Sequence, residues 1–201
     1  MKIFSQKHSL ALATASAIAA AASMTTSNVA SAQSATYAIE PTHTFVNFEA
    51  KHFGTSTLRG RFDKKAGSVT IDRAAKTGKA EITIDMTSLS TGVVPLDKHL
   101  SSDDFFSVAK FAEAKFVGEK FKFDGDKVTE VAGTLTLRGK TNPVVLKTTG
   151  FNCYQSPYIN REICGGDFET TITRSQYDVS YGLPGIPDNI RLLIQVEAVK
   201  Q

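Results

Sequence analysis

Downstream of Thr36 the chain consists of short apolar runs separated by clusters of Gly, Asp, Asn and Pro. In the runs over Lys79–Met86 and Asn189–Val199, apolar residues occupy every second position. A two-residue period is typical of a β-strand that buries one face. We therefore predict an all-β domain, with a short strand over Leu58–Phe62. The longer predicted strands are Tyr37–Lys51, Gly67–Asp72, Lys79–Asp85, Ala114–Phe123, Lys127–Leu137, Pro143–Phe151, Phe168–Arg174 and Asn189–Val199.

The segments between these strands contain turn signals and little helix. Asp124-Gly125-Asp126 separates two β runs and predicts a tight hairpin, because Gly supplies the positive φ that such turns require. A short helix is predicted over Asp97–Leu100 or Ser102–Phe106, where Asp or Ser would begin the first turn. Ser175–Val179 is a candidate for a further helical turn.

The number of predicted strands restricts the architecture. Eight or nine antiparallel strands in one chain would leave unpaired edges unless the sheet closes into a barrel. An eight-stranded barrel is just wide enough to be filled by side chains or to hold one slender ligand. A sandwich of two sheets fits the same pattern, and the periodicity alone favours neither arrangement.

The first 32 residues have the features of a secretory signal peptide. Lys2 and Lys7 give a positive start, an apolar run follows over Leu10–Ala22, and Ala30-Ser31-Ala32 offers small residues at a cleavage site. We expect cleavage after Ala32, with a cut after Ala22 as the alternative. The apolar run of about 13 residues is shorter than the roughly 20 that a membrane-spanning helix needs, so stable membrane insertion is not predicted. Residues 33–201 then form one exported domain.

Charge and cysteine content are consistent with export. Removal of Lys2 and Lys7 leaves 21 of the 23 basic residues against 20 acidic ones, and this balance argues against nucleic-acid binding. Cys153 and Cys164 are the two cysteines, and an even number in an exported chain predicts a disulfide. A metal or redox pair is the alternative, but the two residues lack CxxC spacing.

Four blocks cover most of the predicted domain and carry a resemblance to a known family. They are Tyr37–Phe48 with Leu58–Phe62, Ser90–Gly92 with Asp97–Phe106, Gly133–Thr141, and Arg174–Glu197. In this order they resemble the YceI-like family. The resemblance implies an extended, antiparallel, eight-stranded lipocalin-like barrel with one or two short helices and an elongated apolar pore. It also implies binding of a polyisoprenoid or similar long-chain amphiphile in the bacterial periplasm, without cofactor, metal or catalytic residues.

The residues themselves give no sign of an enzyme or a metal centre. His43, His52 and His99 lie on separate segments, without the i, i+4 spacing of a helical ligand pair. No Gly-x-Ser-x-Gly sequence is present to expose a serine nucleophile. We expect His43 and His99 to hydrogen-bond loops or to line the mouth of a pocket. Arg59 is a further polar candidate at the mouth, where it would face a ligand phosphate; an ordinary charged strand end is the alternative.

Phenylalanine carries the stronger signal, since twelve of the 13 Phe residues follow the signal peptide. Their rings suit an apolar pocket, but the same residues would also suit a filled core. The candidates for the pore lining are Phe45, Phe48, Ile82, Ile84, Phe105, Phe106, Phe116, Leu135, Leu192 and Ile194. Two hypotheses follow: a carrier of a long-chain lipid, or an envelope stress or interaction protein whose barrel core is packed. The sequence does not decide between a monomer and a homodimer.

Overall fold

The computed structural model describes Met1 and residues 34–201, and residues 34–201 form a single antiparallel sheet of eleven strands. The helix α1 spans Val94–Ser101, and 3-10 turns cover Met86–Ser88 and Arg174–Tyr177. The strands are β1 (Ala35–Ile39), β2 (Phe45–His52), β3 (Ser56–Phe62), β4 (Lys65–Asp72), β5 (Thr77–Asp85), β6 (Leu89–Ser90), β7 (Glu113–Asp124), β8 (Lys127–Leu137), β9 (Lys140–Gln155), β10 (Glu162–Thr173) and β11 (Asn189–Lys200).

The sheet closes on itself as an eight-stranded barrel. Its hydrogen-bonded order is β1-β4-β5-β7-β8-β9-β10-β11, and β11 returns to β1, with Ala38 opposite Val199. On the same edge β11 also pairs with β2, which continues to β3 and β6. Closure removes the unpaired edges that an open sheet of this size would expose. The barrel is therefore confirmed, and the two-sheet sandwich is excluded.

The eleven strands form eight positions around the barrel, because three of these positions are each occupied by two consecutive strands: β1 with β2, β3 with β4, and β5 with β6. The single strand predicted over Tyr37–Lys51 is therefore wrong, because it breaks between Ile39 and Phe45. Pro41 has no N–H to donate to a ladder. The carboxylate of Glu40 instead accepts hydrogen bonds from the backbone N–H groups of Thr42 (3.1 Å) and His43 (2.8 Å), so these groups turn away from the sheet.

The helix begins earlier than the sequence pattern indicates. It covers Val94–Ser101 and so includes the predicted Asp97–Leu100, whereas the alternative over Ser102–Phe106 consists of turns. Pro95 occupies the first turn, where its fixed φ is favourable and its missing N–H is not needed. The predicted turn over Ser175–Val179 is a 3-10 turn over Arg174–Tyr177, which begins one residue earlier and ends two residues earlier.

The hairpin between β9 and β10 carries the predicted disulfide. Cys153 and Cys164 lie directly opposite each other, with their Cα atoms 4.1 Å apart, and their sulfurs are bonded. Both strands extend further than predicted, β9 to Gln155 and β10 from Glu162. Gly165 and Gly166 lie near the start of β10, and because they have no side chain the sequence shows no alternating pattern there. In the structure each glycine allows a neighbouring strand to approach closely.

Candidate ligand-binding cavity

An apolar cavity runs along the inside of the barrel. It has a narrow part of about 140 Å³ and a wide part of about 500 Å³. Both parts are lined by the same four side chains, which we call the waist: Val46, Ile84, Leu135 and Leu192. The two parts therefore meet at the waist, and the barrel is not filled by its side chains as the packed-core hypothesis requires.

The alternating pattern of β11 explains how the cavity is lined. Every second residue from Ile190 to Ala198 faces the interior, whereas Arg191 and Gln195 are exposed. Eight residues of strand cover about 26 Å, which at a tilt of about 40° corresponds to a depth of about 20 Å. This depth, together with the smaller volume of the narrow part, suits a long, slender ligand.

The narrow part presents almost only carbon to the interior. Its walls include Ile39, Val69, Ile71, Ala80, Ile82, Phe116, Val128, Val131, Phe168 and Ile194. The hydroxyl of Thr44, which also lies on this wall, is occupied by the backbone of Glu197 at 3.1 Å. Water needs several polar partners to remain in a cavity, and this wall does not provide them.

A group of polar side chains, here called the floor cluster, closes the narrow end. It consists of Tyr37, Arg73, Glu162 and the Cys153–Cys164 disulfide. Arg73 donates to Glu162 Oε1 at 2.7 Å and to both sulfurs at 2.9 Å. The Tyr37 hydroxyl donates to Glu162 Oε2 at 3.1 Å. Because the sulfurs are bonded to each other, the two cysteines are not available to a metal as thiolates.

The electrostatics of the floor cluster follow from this arrangement. Burial raises the pKa of the Tyr37 hydroxyl. Burial also acts to raise the pKa of Glu162, but the hydrogen bond and charge of Arg73 outweigh it and hold that pKa below its usual value. Glu162 is therefore an anion at neutral pH, paired with a guanidinium. The ion pair of Arg73 and Glu162 therefore holds the floor cluster in place behind the apolar wall of the cavity.

The wide part is lined with aromatic rings and opens at the other end of the barrel. Phe48, Phe62 and Phe106 pack against one another, with ring centroids 5.8 to 6.4 Å apart. Phe53 and Tyr181 line the same space but are 67% and 51% exposed, so they mark the mouth. Lys51, His52, His99 and Arg174 add polar atoms to this lining.

Arg174 organises one side of the mouth. It is 4% exposed, and its guanidinium donates to the carbonyl oxygens of Val179 (2.9 Å), Tyr181 (3.0 Å), Ile186 (2.9 Å) and Pro187 (3.0 Å). Burial lowers its pKa, and the nearby carboxylate of Asp188 opposes that effect. A single side chain thus holds the loop that follows β10. Sequence reasoning missed this residue; the available signal was an Arg at a strand end before a Gly- and Pro-rich loop.

Of the three polar residues predicted at the mouth, His99 alone lies there. Its ring contacts those of Phe105 and Tyr181, at centroid distances of 5.0 and 5.1 Å, and its Nε2 lies 3.1 Å from Asp104. His43 does not line the mouth; of the two roles expected for it, it takes the hydrogen bond within a loop, because its exposed ring binds Glu40 at the break between β1 and β2. Arg59 is also outside the cavity, since it points outward from β3.

Nine of the ten predicted lining residues face the cavity: Phe48, Ile82, Ile84, Phe105, Phe106, Phe116, Leu135, Leu192 and Ile194. Phe45 does not, so its prediction is corrected. Its ring lies between two cations, with Arg61 at 5.3 Å and Lys65 Nζ at 4.5 Å from the centroid. Phe45 and Val46 are consecutive on a strand and therefore face opposite sides. The ion pair of Arg59 with Glu49, at 2.8 Å, lies on the outer face.

Comparison with known proteins agrees with this architecture. The model of the YceI-like domain matches residues 37–198. "Protein YceI" from Escherichia coli O157:H7 is 35% identical over 174 residues, which cover 85% of this chain and 90% of that protein. The protein of the same name from Salmonella arizonae is 34% identical over the same length. Among residues 34–201, no helix is long and apolar enough to span a membrane.

Solved structures share the fold. The Campylobacter jejuni YCEI protein is 28% identical, with a TM-score of 0.65 over 75% of this chain and 90% of that one. Burkholderia cenocepacia BcnA matches with a TM-score of 0.66 at 23% identity, over 80% and 99% of the two chains. A domain from Saccharophagus degradans, described as polyisoprenoid binding, matches with a TM-score of 0.58 at 17% identity, over 82% and 98%. This chain belongs to the YceI-like family.

Proposed function

We propose that this protein binds and carries a polyisoprenoid or similar long-chain amphiphile, with the chain of the ligand inside the barrel. The observation that carries the proposal is the apolar space inside the barrel, whose two parts meet at the waist, with the exposed rings of the mouth at one end and the floor cluster at the other. Burial of hydrocarbon gains roughly 0.8 kcal/mol per CH₂ group. A chain that fills a cavity about 20 Å deep therefore gains ample free energy without a specific hydrogen bond.

The arrangement of polar groups supports one orientation of the ligand. The narrow part offers no free polar partner, whereas Lys51, His52, His99 and Arg174 line the wide part near the mouth. The apolar tail therefore enters first, and the polar end of the ligand remains among these side chains. The Saccharophagus degradans domain, whose description names polyisoprenoid binding, has the same fold and supports this class of ligand.

We place the carrier in the periplasm. Apart from Met1, the predicted signal peptide lies outside the residues that the structure describes. The support for export therefore comes from the sequence pattern of residues 1–32. The Cys153–Cys164 disulfide is typical of an oxidising compartment and agrees with export. Nothing in the cavity requires a cofactor for this role, since binding rests on burial of the chain.

Solvent extraction of the purified protein, followed by mass spectrometry, tests the proposal. We expect one long-chain lipid per protein molecule from the unmodified protein. Leu192→Trp places a large ring at the waist and should reduce the lipid recovered at least tenfold. The control, Gln195→Trp, lies on the exposed face of the same strand and should recover the normal amount. A protein that yields no lipid and takes up no added prenyl phosphate would refute the proposal.

A further inference from the structure

The narrow part of the cavity ends at the ring of Tyr37. This residue is 2% exposed, and it lines the cavity together with Cys164 and Ala198, which are each 4% exposed. Ala198 lies opposite both Ile39 on β1 and Cys164 on β10. Three neighbouring strands therefore form one side of the lining at this end, and a chain that descends from the waist meets the Tyr37 ring there.

The Tyr37 ring is held from behind by groups on different strands. Its hydroxyl binds Glu162 at the start of β10 and accepts from Arg73, which follows β4, at 3.3 Å. Lys200 at the end of β11 adds a contact to Glu162 Oε2 at 3.4 Å. Charge-assisted hydrogen bonds of this kind are about twice as strong as neutral ones. To move the ring aside, the protein would have to break a part-buried ion-pair network.

The disulfide prevents the floor from widening in another way. It joins β9 and β10 where Arg73 touches both sulfurs, so the two strands cannot separate there. The polar atoms of the floor cluster bind one another, and Tyr37 and Cys164 are the members of the cluster that line the cavity, whereas Arg73, Glu162 and Cys153 do not. The floor is therefore apolar towards the ligand and rigid behind.

We propose that Tyr37, backed by the floor cluster, is a length stop that sets the longest chain this protein binds well. The inference rests on the proposed function, because it assumes that a chain enters tail first. Chains shorter than the cavity leave apolar wall unfilled and lose binding in proportion. Chains that are too long keep apolar units outside the mouth, in water. Affinity should therefore reach an optimum at one chain length and gain nothing beyond it.

A series of prenyl phosphates of graded chain length, added to delipidated protein and measured in competition by native mass spectrometry, tests this proposal. For the unmodified protein we expect affinity to rise with chain length up to one homologue, which we call the optimum, and to gain nothing for longer ones. Tyr37→Leu and Tyr37→Ala should move the optimum to progressively longer homologues, by one or more isoprene units for the Ala variant. Ala198→Leu fills the same end and should move the optimum to shorter homologues.

The matched control is Tyr158→Ala. Tyr158 lies in the turn between β9 and β10, near the same end of the barrel, but it is 94% exposed and does not line the cavity. Its variant should keep the optimum of the unmodified protein. If the Tyr37→Ala variant fails to fold, Tyr37→Leu and Ala198→Leu still test the proposal, because they should move the optimum in opposite directions.

Two results would overturn the length stop, and they are distinguishable from each other. If the unmodified protein binds the series with an optimum that neither Tyr37→Leu nor Ala198→Leu changes, the stop is wrong and the proposed carrier function stands. If the unmodified protein binds no prenyl phosphate of any length, the proposed function fails and the length stop fails with it.

Discussion

At the scale of single residues, Arg174 shows how a charged side chain serves a lipid cavity. Its guanidinium satisfies four backbone carbonyls in the loop over residues 178–188, in a fork geometry that no other side chain reproduces. A loop without regular ladder bonds is thereby held against the mouth. Removal of the side chain would leave these carbonyls short of donors.

Arg174→Met should therefore destabilise the protein by about 3 kcal/mol, because hydrogen bonds to a charged group contribute about 1.5–3 kcal/mol each and some carbonyls will find water instead. Urea unfolding measures the change. Arg191→Met is the control, since Arg191 is half exposed and solvent-exposed ion pairs such as those with Glu49 and Glu169 contribute little to stability. Equal losses in the two variants would contradict the role given to Arg174.

Glu40 gives a second residue-scale prediction, which concerns pH. Burial opposes its ionisation, but hydrogen bonds from Thr42 and His43 outweigh burial and lower its pKa from 4.5 to about 2. A lowered folded-state pKa contributes stability above the unfolded value, and this contribution is lost as the pH falls through the folded value. The difference in stability between the unmodified protein and Glu40→Gln should therefore have its full value at pH 7. It should decrease to nearly zero as the pH falls from about 4.5 to about 2.

Thermal unfolding of both proteins across this pH range provides the measurement. Glu119→Gln, at an exposed site on β7, is the matched control and should follow the unmodified protein at every pH. A difference between Glu40→Gln and the unmodified protein that persists unchanged at pH 2 would show that the carboxylate does not hold the break between β1 and β2.

At the scale of elements, the Cys153–Cys164 disulfide is a covalent link between β9 and β10. It closes a hairpin with a sequence separation of 11 residues. Cross-links of this loop size stabilise a protein by about 3 kcal/mol, mainly by restricting the unfolded chain. The double variant Cys153→Ser with Cys164→Ser should lose about that amount in denaturant unfolding. A reducing agent should lower the stability of the unmodified protein and leave the double variant unchanged; an unaffected unmodified protein would contradict this.

The strands were predictable where their residues alternate and less so where they do not. The range of β8 agrees with its prediction, and β11 extends one residue beyond its own, because in both a turn signal bounds the run. The start of β10 was missed since Gly165 and Gly166 have no side chain to show a period. The break between Ile39 and Phe45 had a signal in the sequence, Pro41 within the run Glu-Pro-Thr-His-Thr over residues 40–44, and the prediction of one continuous strand overlooked it.

At the scale of the whole molecule, closure and the cavity required more than periodicity. The pattern over β11 identified which residues share a face, but a face towards a filled core and a face towards a cavity have the same sequence. For Phe45 the pattern was ambiguous, since Val46 beside it is also apolar. Arg59, and His43 as one of two alternatives, were assigned to the mouth from residue type, which does not reveal on which side of the barrel wall a side chain lies.

A bound ligand should also change the stability of the whole barrel. A ligand that binds the folded state alone stabilises it by about 2.7 kcal/mol at a free concentration of 100 times Kd. Delipidated protein should therefore unfold at a lower temperature than the protein as purified, and added prenyl phosphate should restore the difference. Leu192→Trp, with its waist blocked, should show no such recovery. Recovery in that variant would place the binding elsewhere.

The central claim is that one chain occupies both parts of the cavity through the waist. Its most direct test is to record nuclear Overhauser effects between a bound prenyl phosphate and isotope-labelled methyl groups of the protein. We expect contacts from the same ligand to Ile190 in the wide part and to Ile71 and Val128 in the narrow part. Contacts confined to the wide part, or to the outer face around Val145, would contradict the account.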